Sequence, residues 1–429
     1  MGCRGMAIAG IDQDTISKII RDNLTPSSEI TTPERLFGRE RALKDVTRAL
    51  NSNGRSVFIH GDRGVGKSSV ALTAATLITD SSMTPIRVMC GKEDTFAKVI
   101  RSIGNACLTV AQRIESPAKA FQVGLSILGS GGSFNPGERS RVEIPLPDSL
   151  NDALDIIRFA LEKRQGQFVV VIDEMERIAS EGEREKFAEF IKNIPALEPR
   201  VKFIFCGIAA TLTELVGEHP SAGRILEPVK LERLRHNELW QIIEVVAKNL
   251  NIEIESEALI QISRISDGFP TYVHLIGDSM FWSVFDDSEI VSAVKVRHFR
   301  EGITGALQRS DATLRAQYEK ATMKTKNTQD YEEALWALAD TSSDWRQLTE
   351  IYDSSYKKIM LQRSGRTMLA KETLNTRFHS LRKDGHGRVV VNKGAGWFAF
   401  RENIIRGYVR LKAQEQGIQL GRDNAMRNV

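Results

Sequence analysis

The stretch HGDRGVGKSS, His60–Ser69, constrains this chain more than any other. It carries Gly61, Gly66, Lys67 and Ser68 at the spacing G-x-x-x-x-G-K-[ST]. The apolar residues before it, Val57–Ile59, predict a buried strand, and SVALTAATLI from Ser69 predicts a helix. In that order, strand, glycine turn and helix form a cradle whose backbone N–H groups converge on phosphate oxygens. The helix N-terminus adds positive potential. Gly61, Asp62, Arg63, Gly64, Val65, Gly66, Lys67, Ser68 and Ser69 are therefore the candidate phosphate-binding residues. Lys67 is expected to reach the β- and γ-phosphates, and the Ser68 hydroxyl to ligate Mg²⁺. The competing reading is a glycine turn that happens to carry a lysine.

A second stretch weighs against that competitor. FVVVIDEMERI, Phe168–Ile178, opens with five apolar residues, as in a parallel strand covered on both faces, and then reaches Asp173-Glu174. Asp173 is expected to hold Mg²⁺ through its water shell, and Glu174 to polarise an attacking water. Either acid alone reads equally well as the solvated end of a strand. A phosphate cradle followed about a hundred residues later by such a strand is much rarer.

The chain of 429 residues is long enough for two or three domains, with 41% hydrophobic and 27% charged residues. No apolar run is long enough to span a bilayer, so no membrane partner is expected. The N-terminus lacks the h-region of a signal peptide, and Met6 stands where a myristoylation motif needs Ser or Thr. Cys3, Cys90, Cys107 and Cys206 show no CxxC spacing, which fits a reducing cytoplasm and argues against a disulfide frame or a zinc site. The net charge of +4 is uneven: 361–412 holds about twelve Lys/Arg against about three Asp/Glu, roughly +9, which leaves the remainder roughly −5. That asymmetry predicts a polyanion-binding module near the C-terminus.

Taken in order, 12–23 predicts a short amphipathic helix and Thr25–Glu34 a polar connector. A turn at Gly38-Arg39 precedes a helix with Leu43, Val46 and Leu50 on one face. Phe37, Gly38 and Arg39 either touch a nucleotide base or simply lead into that helix. PIRVMC, Pro85–Cys90, predicts a strand, Asp94–Ile114 a helix, and Val123–Pro147 a hairpin insertion or a loop. Helices are expected over Leu150–Lys163 and Glu181–Ile194, and strands from Arg200 and from Glu227. Alternating strands and helices give a P-loop NTPase α/β fold, an αβα sandwich with a parallel sheet whose ligand lies at the carboxyl ends of the strands. Arg224, just before the last strand, either reaches the γ-phosphate of a neighbouring subunit or is a surface arginine or part of an internal salt bridge.

Beyond the sandwich, Leu231 to about Ser310 predicts a helical lid, interrupted by the turn DGFPTY. Ala312–Asp330 predicts an exposed helix or linker. From about 329 to 416 the order helix, helix (from Trp345), helix (Lys371–Gly385) and two strands about Lys393-Gly394 is the pattern of a winged helix. Lys371, Thr373, Asn375, Arg377 and Arg382 on its third helix, with Lys393 in the turn, are the candidate contacts to double-stranded DNA. Expected boundaries are thus 1–35, 36–230, 231–310, 311–328, 329–416 and a tail 417–429.

With LFGRE, GDRGVGKSS, VVVIDEME, FIFCGIA, SAGRI and DGFPTYVHL in view, the chain resembles the AAA+ ATPases of the origin-recognition type and overlaps the signalling STAND ATPases. The resemblance implies ATP and Mg²⁺ as ligands, Lys67, Ser68, Asp173 and Glu174 at the nucleotide and metal positions, Glu174 as hydrolytic base, and Arg224 as an intersubunit arginine finger. It implies an ATP-hydrolysing, DNA-binding switch, with a homo-oligomer or a protein effector as further partners. The alternative is a STAND-like sensor or scaffold whose winged helix binds protein. Two departures stand out. The polar sensor residue at the end of the strand after Asp173 is replaced by Cys206-Gly207, and the second sensor arginine by Thr271, with His274 the nearest basic group. Hydrolysis is therefore expected to be slow. No N/T-K-x-D guanine motif follows the Asp173 strand, which disfavours GTP.

Overall fold

The computed structural model describes residues 7–108, 144–218, 221–323 and 326–421. The chain forms two compact units. One comprises Glu29–Gly61 and Lys67–Leu231, and the other Met1–Ser28, Asp62–Gly66 and Glu232–Val429.

The first unit is built on a parallel five-stranded sheet of order β2-β3-β4-β1-β5. Its strands are β1 (Ser56–Gly61), β2 (Ile86–Met89), β3 (Phe168–Asp173), β4 (Val201–Gly207) and β5 (Leu226–Leu231). Every residue of β3 and β4 is buried. That is why both read in sequence as apolar runs without alternation. Parallel neighbours need crossover connections, and helices supply them at Lys67–Ile78, Leu150–Lys163 and Glu181–Asn193. Ser149 starts the second of these in a reciprocal capping box with Asp152. Aromatic edges tie the helices to one another and to the sheet: Phe96 meets Phe187 of a second helix at 5.1 Å, and Phe190 meets Phe203 of β4 at 5.5 Å. Register decides where the strands end together. His60 lies opposite Gly207, Ile172 opposite Phe205, and Met89 opposite Asp173. The glycine turn, the acidic pair and the end of β4 therefore share one edge. This is the P-loop NTPase α/β fold that the sequence predicts.

Of the hairpin or loop expected over 123–147, residues 123–143 lie outside the described residues, as do 109–114 of the expected 94–114 helix, which is seen as Phe96–Ala106.

The second unit is mainly helical, with a short parallel pair, β6 (Glu253–Ile254) and β7 (Ala293–Val294). Asp267 closes the helix Ser256–Ser266 in the left-handed region (φ 50°), and Pro270 opens the helix Pro270–Phe285, as the DGFPTY turn predicts. Two local expectations fail. The helix Ala312–Thr322 is not exposed: Leu314, Tyr318 and Ala321 are buried, and Tyr318 packs edge-on to Tyr408 at 5.5 Å. Few apolar residues suffice there because they recur at helical spacing. The helix expected from Trp345 instead opens with a strand, β8 (Arg346–Gln347). The fully buried Arg346 guanidinium donates to the Ala337 carbonyl (2.5 Å) and the Ser355 hydroxyl (2.9 Å), which fixes this segment extended beneath its neighbours. Helical turns over 348–360, the helix Lys371–Leu381, β9 (Val390–Asn392), β10 (Trp397–Phe400) and the helix Ile405–Glu415 follow. Their antiparallel sheet has the order β8-β10-β9. The segments expected as lid and as C-terminal module belong to this one unit. Among the described residues no helix is long and apolar enough to cross a membrane.

Candidate functional site

The glycine turn has the conformation its sequence demands. Gly66 lies at φ 95°, and a Cβ there would meet nothing within 4 Å, so the residue is needed for its backbone and leaves open space in the loop. Lys67 begins the following helix, is buried, and donates from Nζ to the Gly61 carbonyl at 3.0 Å. Its ammonium is thus held across the loop. Ser68 is the second residue of that helix. The Ser69 hydroxyl instead accepts the Ile30 N–H at 3.1 Å, and Thr73 donates to the Ile30 carbonyl at 3.1 Å, so the connector is laced along the helix.

Asp62 and Arg63 engage side chains of the helical unit to which they belong. Asp62 Oδ2 accepts from Arg233 and from Asn403, each at 3.1 Å. Arg63 pairs with Asp311 at 3.3 Å and Glu402 at 3.4 Å. In the same unit a Cβ on Gly64 would lie 2.4 Å from Ile404 Cδ1.

Asp173 closes β3 with its side chain almost wholly buried. One oxygen accepts the Glu174 N–H at 2.9 Å, and the other accepts Arg87 Nη2 at 3.2 Å. Arg87, from β2, also bonds Glu29 at 2.7 Å. Burial opposes the Arg87 charge, but the two carboxylates outweigh it and raise the guanidinium above its ordinary range. The bond to Arg87 in turn holds the Glu29 carboxyl below its ordinary range. Sequence reasoning missed Arg87 and Glu29. The available signal was a lone charge inside the strand IRVM.

Glu174 has φ 58° and starts the turn Met175–Arg177. Its carboxylate pairs with Arg177 at 2.8 Å, so the expected base is engaged by a neighbour. The end of β4 offers no polar side chain, since Cys206 is buried and Gly207 follows. Arg224 is exposed in the short helix Ala222–Ile225, without an ion-pair partner among the described residues. Arg39, by contrast, is buried. His274 is no surface cation: it is buried, its Nδ1 accepts the Thr25 N–H at 3.3 Å, and burial lowers its pKa to about 4.

These residues fit a nucleoside triphosphate with Mg²⁺. Within the sheet unit, the Lys67 ammonium is held at the Gly61 carbonyl, and the Ser68 hydroxyl and the Asp173 carboxylate stand at the ends of their elements. Among the described residues no group of three or more His, Cys, Asp or Glu could enclose a metal. The protein ligands to Mg²⁺ would thus be Ser68 and Asp173, with phosphate and water completing the shell.

The candidate DNA face needs correction. Arg377 does not point outward: its Nη2 pairs with Asp330 at 2.9 Å and its guanidinium stacks on Tyr331. Lys371, Thr373 and Asn375 are half-buried, whereas Arg382 is exposed. Lys393 is also exposed, with its ammonium 4.7 Å from the Trp345 ring and 5.0 Å from the Trp397 ring. Much of the local basic excess is neutralised by acids far away in sequence. Arg363 and Arg366 pair with Glu333, and Arg406 and Arg410 with Asp267. Arg388 pairs with Asp384 and Lys412 with Glu415.

Comparison with known proteins agrees on the fold. Residues 35–204 match the family described as an AAA ATPase domain. The structure is similar to a Walker-type ATPase of Pyrococcus abyssi, at 16% identity over 90% of this chain and 99% of that one, with a TM-score of 0.50. It is also similar to Cdc6p of Pyrobaculum aerophilum (14% identity, 94% and 99% covered, TM-score 0.44). A third is the ORC1 protein of Aeropyrum pernix, solved in complex with DNA (12% identity, 90% and 95% covered, TM-score 0.43). By sequence, the chain matches no curated protein. The fold is a P-loop NTPase α/β scaffold, and residues 35–204 of it are similar to the AAA ATPase domain family.

Proposed function

We propose that this protein binds and slowly hydrolyses ATP, and that nucleotide state switches its hold on double-stranded DNA. The observation that carries the ATPase reading is the placement of Lys67, first in the helix that follows β1, and of Asp173 and Glu174, at the end of β3, at the carboxyl edge of one parallel sheet. Mg²⁺ bound there would neutralise phosphate charge. Lys67 holds its ammonium at the loop where β- and γ-phosphates would lie. Asp173, nearly removed from water, is a fixed negative charge for the metal shell. Glu174 must leave Arg177 to orient a water, and the end of β4 offers no help, which supports slow turnover. Above roughly 10 s⁻¹ the slow-switch reading fails.

We read residues 329–416 as a winged helix, on the order of its helices and its three-stranded sheet. DNA would be met by Lys371, Arg382, Lys383, Lys393 and Arg401, which stand outside the ion pairs among the described residues. One observation favours the alternative, a sensor or scaffold that grips protein: so much of the basic excess is spent on Asp330, Glu333 and Asp267. Subunit assembly through Arg224 belongs to either reading.

The experiment is ATP turnover with and without duplex DNA, for the wild type and Glu174→Gln. Stimulation by DNA that disappears in the variant is expected. Turnover indifferent to DNA, with no salt-dependent DNA retention to lose in an Arg382, Lys383 and Lys393 triple alanine variant, would replace DNA with a protein partner.

A further inference from the structure

The end of β4 lacks a polar side chain, and the structure also explains why it cannot easily carry one. A Cβ on Gly207 would lie 3.0 Å from Phe58 Cζ, tighter than ordinary contact. The same point lies 3.5 Å from Glu176 Oε2. Glu176 comes from the turn Met175–Arg177 that follows β3. Its Oε2 is buried and has no hydrogen-bond partner among the described residues. A buried carboxylate oxygen left without a partner is costly, and such a group is retained where a ligand completes it. Glu174, the expected base, has its carboxylate on Arg177.

We infer that Glu176 supplies, from the turn after β3, the polar group missing from β4, and that it positions the water that attacks the terminal phosphate. The inference rests on the ATPase reading above. The geometry is local to one sheet edge: Gly207 lies opposite His60 at the mouth of the glycine turn, and Glu176 reaches it from the neighbouring strand end. The electrostatics agree. Desolvation raises the Glu176 carboxyl above its ordinary range, Lys67 draws it down, and Glu174 and Asp173 push it up. It therefore senses the lysine and both acids of the site. In hydrolysis, water oxygen bonds to the γ-phosphorus, the bond to the β,γ-bridging oxygen breaks, and the water proton leaves to solvent or to phosphate. Glu176 holds that water by a hydrogen bond and is not consumed.

The test compares Glu176→Met and Glu176→Gln with the wild type and Glu174→Gln, measuring ATP kcat, KM and ADP affinity. Methionine fills the same volume without a hydrogen bond, so a purely structural Glu176 predicts a variant at least as stable and fully active. A positioning role predicts a kcat at least about tenfold lower at unchanged KM and ADP affinity, partly rescued in Glu176→Gln. Should Glu176→Met fail to fold, Glu176→Gln alone decides: a kcat lowered about threefold or more supports the inference, and a wild-type kcat overturns it. A wild-type kcat in a folded Glu176→Met, or a loss of ADP affinity matching the loss of kcat, also overturns it. If either result comes with activity abolished by Glu174→Gln, the ATPase reading stands. A wild type without turnover overturns both.

Discussion

Replacing Arg87 by alanine tests the charge chain that joins the connector to Asp173, the acid at the end of β3. The Asp173 side chain is 2% exposed and that of Arg87 24%, and they pair at 3.2 Å. Removing one partner of a fully buried pair costs about 3–5 kcal/mol, because a charge stays behind without compensation. Two features reduce that here. Asp173 keeps the Glu174 N–H, and Arg87 is partly wet. The expected loss in Arg87→Ala is therefore about 2 kcal/mol. In an Asp173→Asn background the same change removes only the pair with Glu29, whose side chain is 38% exposed, a loss of about 0–1 kcal/mol. The double-mutant cycle should thus give a coupling of about 1–2 kcal/mol, read from urea denaturation of the four proteins without nucleotide or Mg²⁺. A coupling below about 0.5 kcal/mol would refute the claim that Arg87 neutralises Asp173 in the resting protein.

His274 and Asp267 carry two further predictions. The folded-state pKa of His274, about 4, lies below its ordinary 6.5, so the unfolded chain binds the proton first as pH falls. Stability is then full above pH 6.5 and is lost progressively toward pH 4, by about 3 kcal/mol for this group. His274→Gln should flatten that limb in urea melts at pH 7.5 and 5, and an unchanged slope would discard the assignment. Asp267, buried, faces Arg406 at 2.7 Å, Arg410 at 3.0 Å and Arg233 at 3.2 Å. Asp267→Ala should cost about 3–5 kcal/mol in thermal denaturation, and a loss under about 1 kcal/mol would mean that the arginines find other acceptors.

The sheet was legible because buried parallel strands leave a simple trace. Phe168–Ile172 and Phe203–Cys206 are apolar on both faces, so their runs could not be mistaken for half-exposed strands. The glycine turn was legible for the opposite reason, since a backbone with positive φ accepts few other residues. Arg346–Gln347 was not legible. Its polar residues suit a helix surface, and only the buried partners at Ala337 and Ser355 make the extended form the better one. Ala312–Thr322 was misjudged because counting apolar residues ignores their spacing.

The limits at the site and at the basic segment have one cause. Spacing along the chain reveals a group whose function needs its neighbours in sequence, as Lys67 needs Gly66. It does not reveal a group whose partner arrives from another strand. Arg87 meets Asp173 only because β2 pairs with β3, and Glu176 meets the end of β4 only because β3 pairs with β4. The same holds for charge. The excess over 361–412 was counted against acids inside that window, whereas Asp267, Asp330 and Glu333 neutralise it from outside. A local count therefore overstates the field available to a polyanion. What remains for one, among the described residues, is the set Lys371, Arg382, Lys383, Lys393 and Arg401, and Lys393 is already held over two tryptophan rings. Any DNA affinity of this unit should accordingly show a shallow salt dependence, set by about five contacts rather than by the dozen that the sequence suggests.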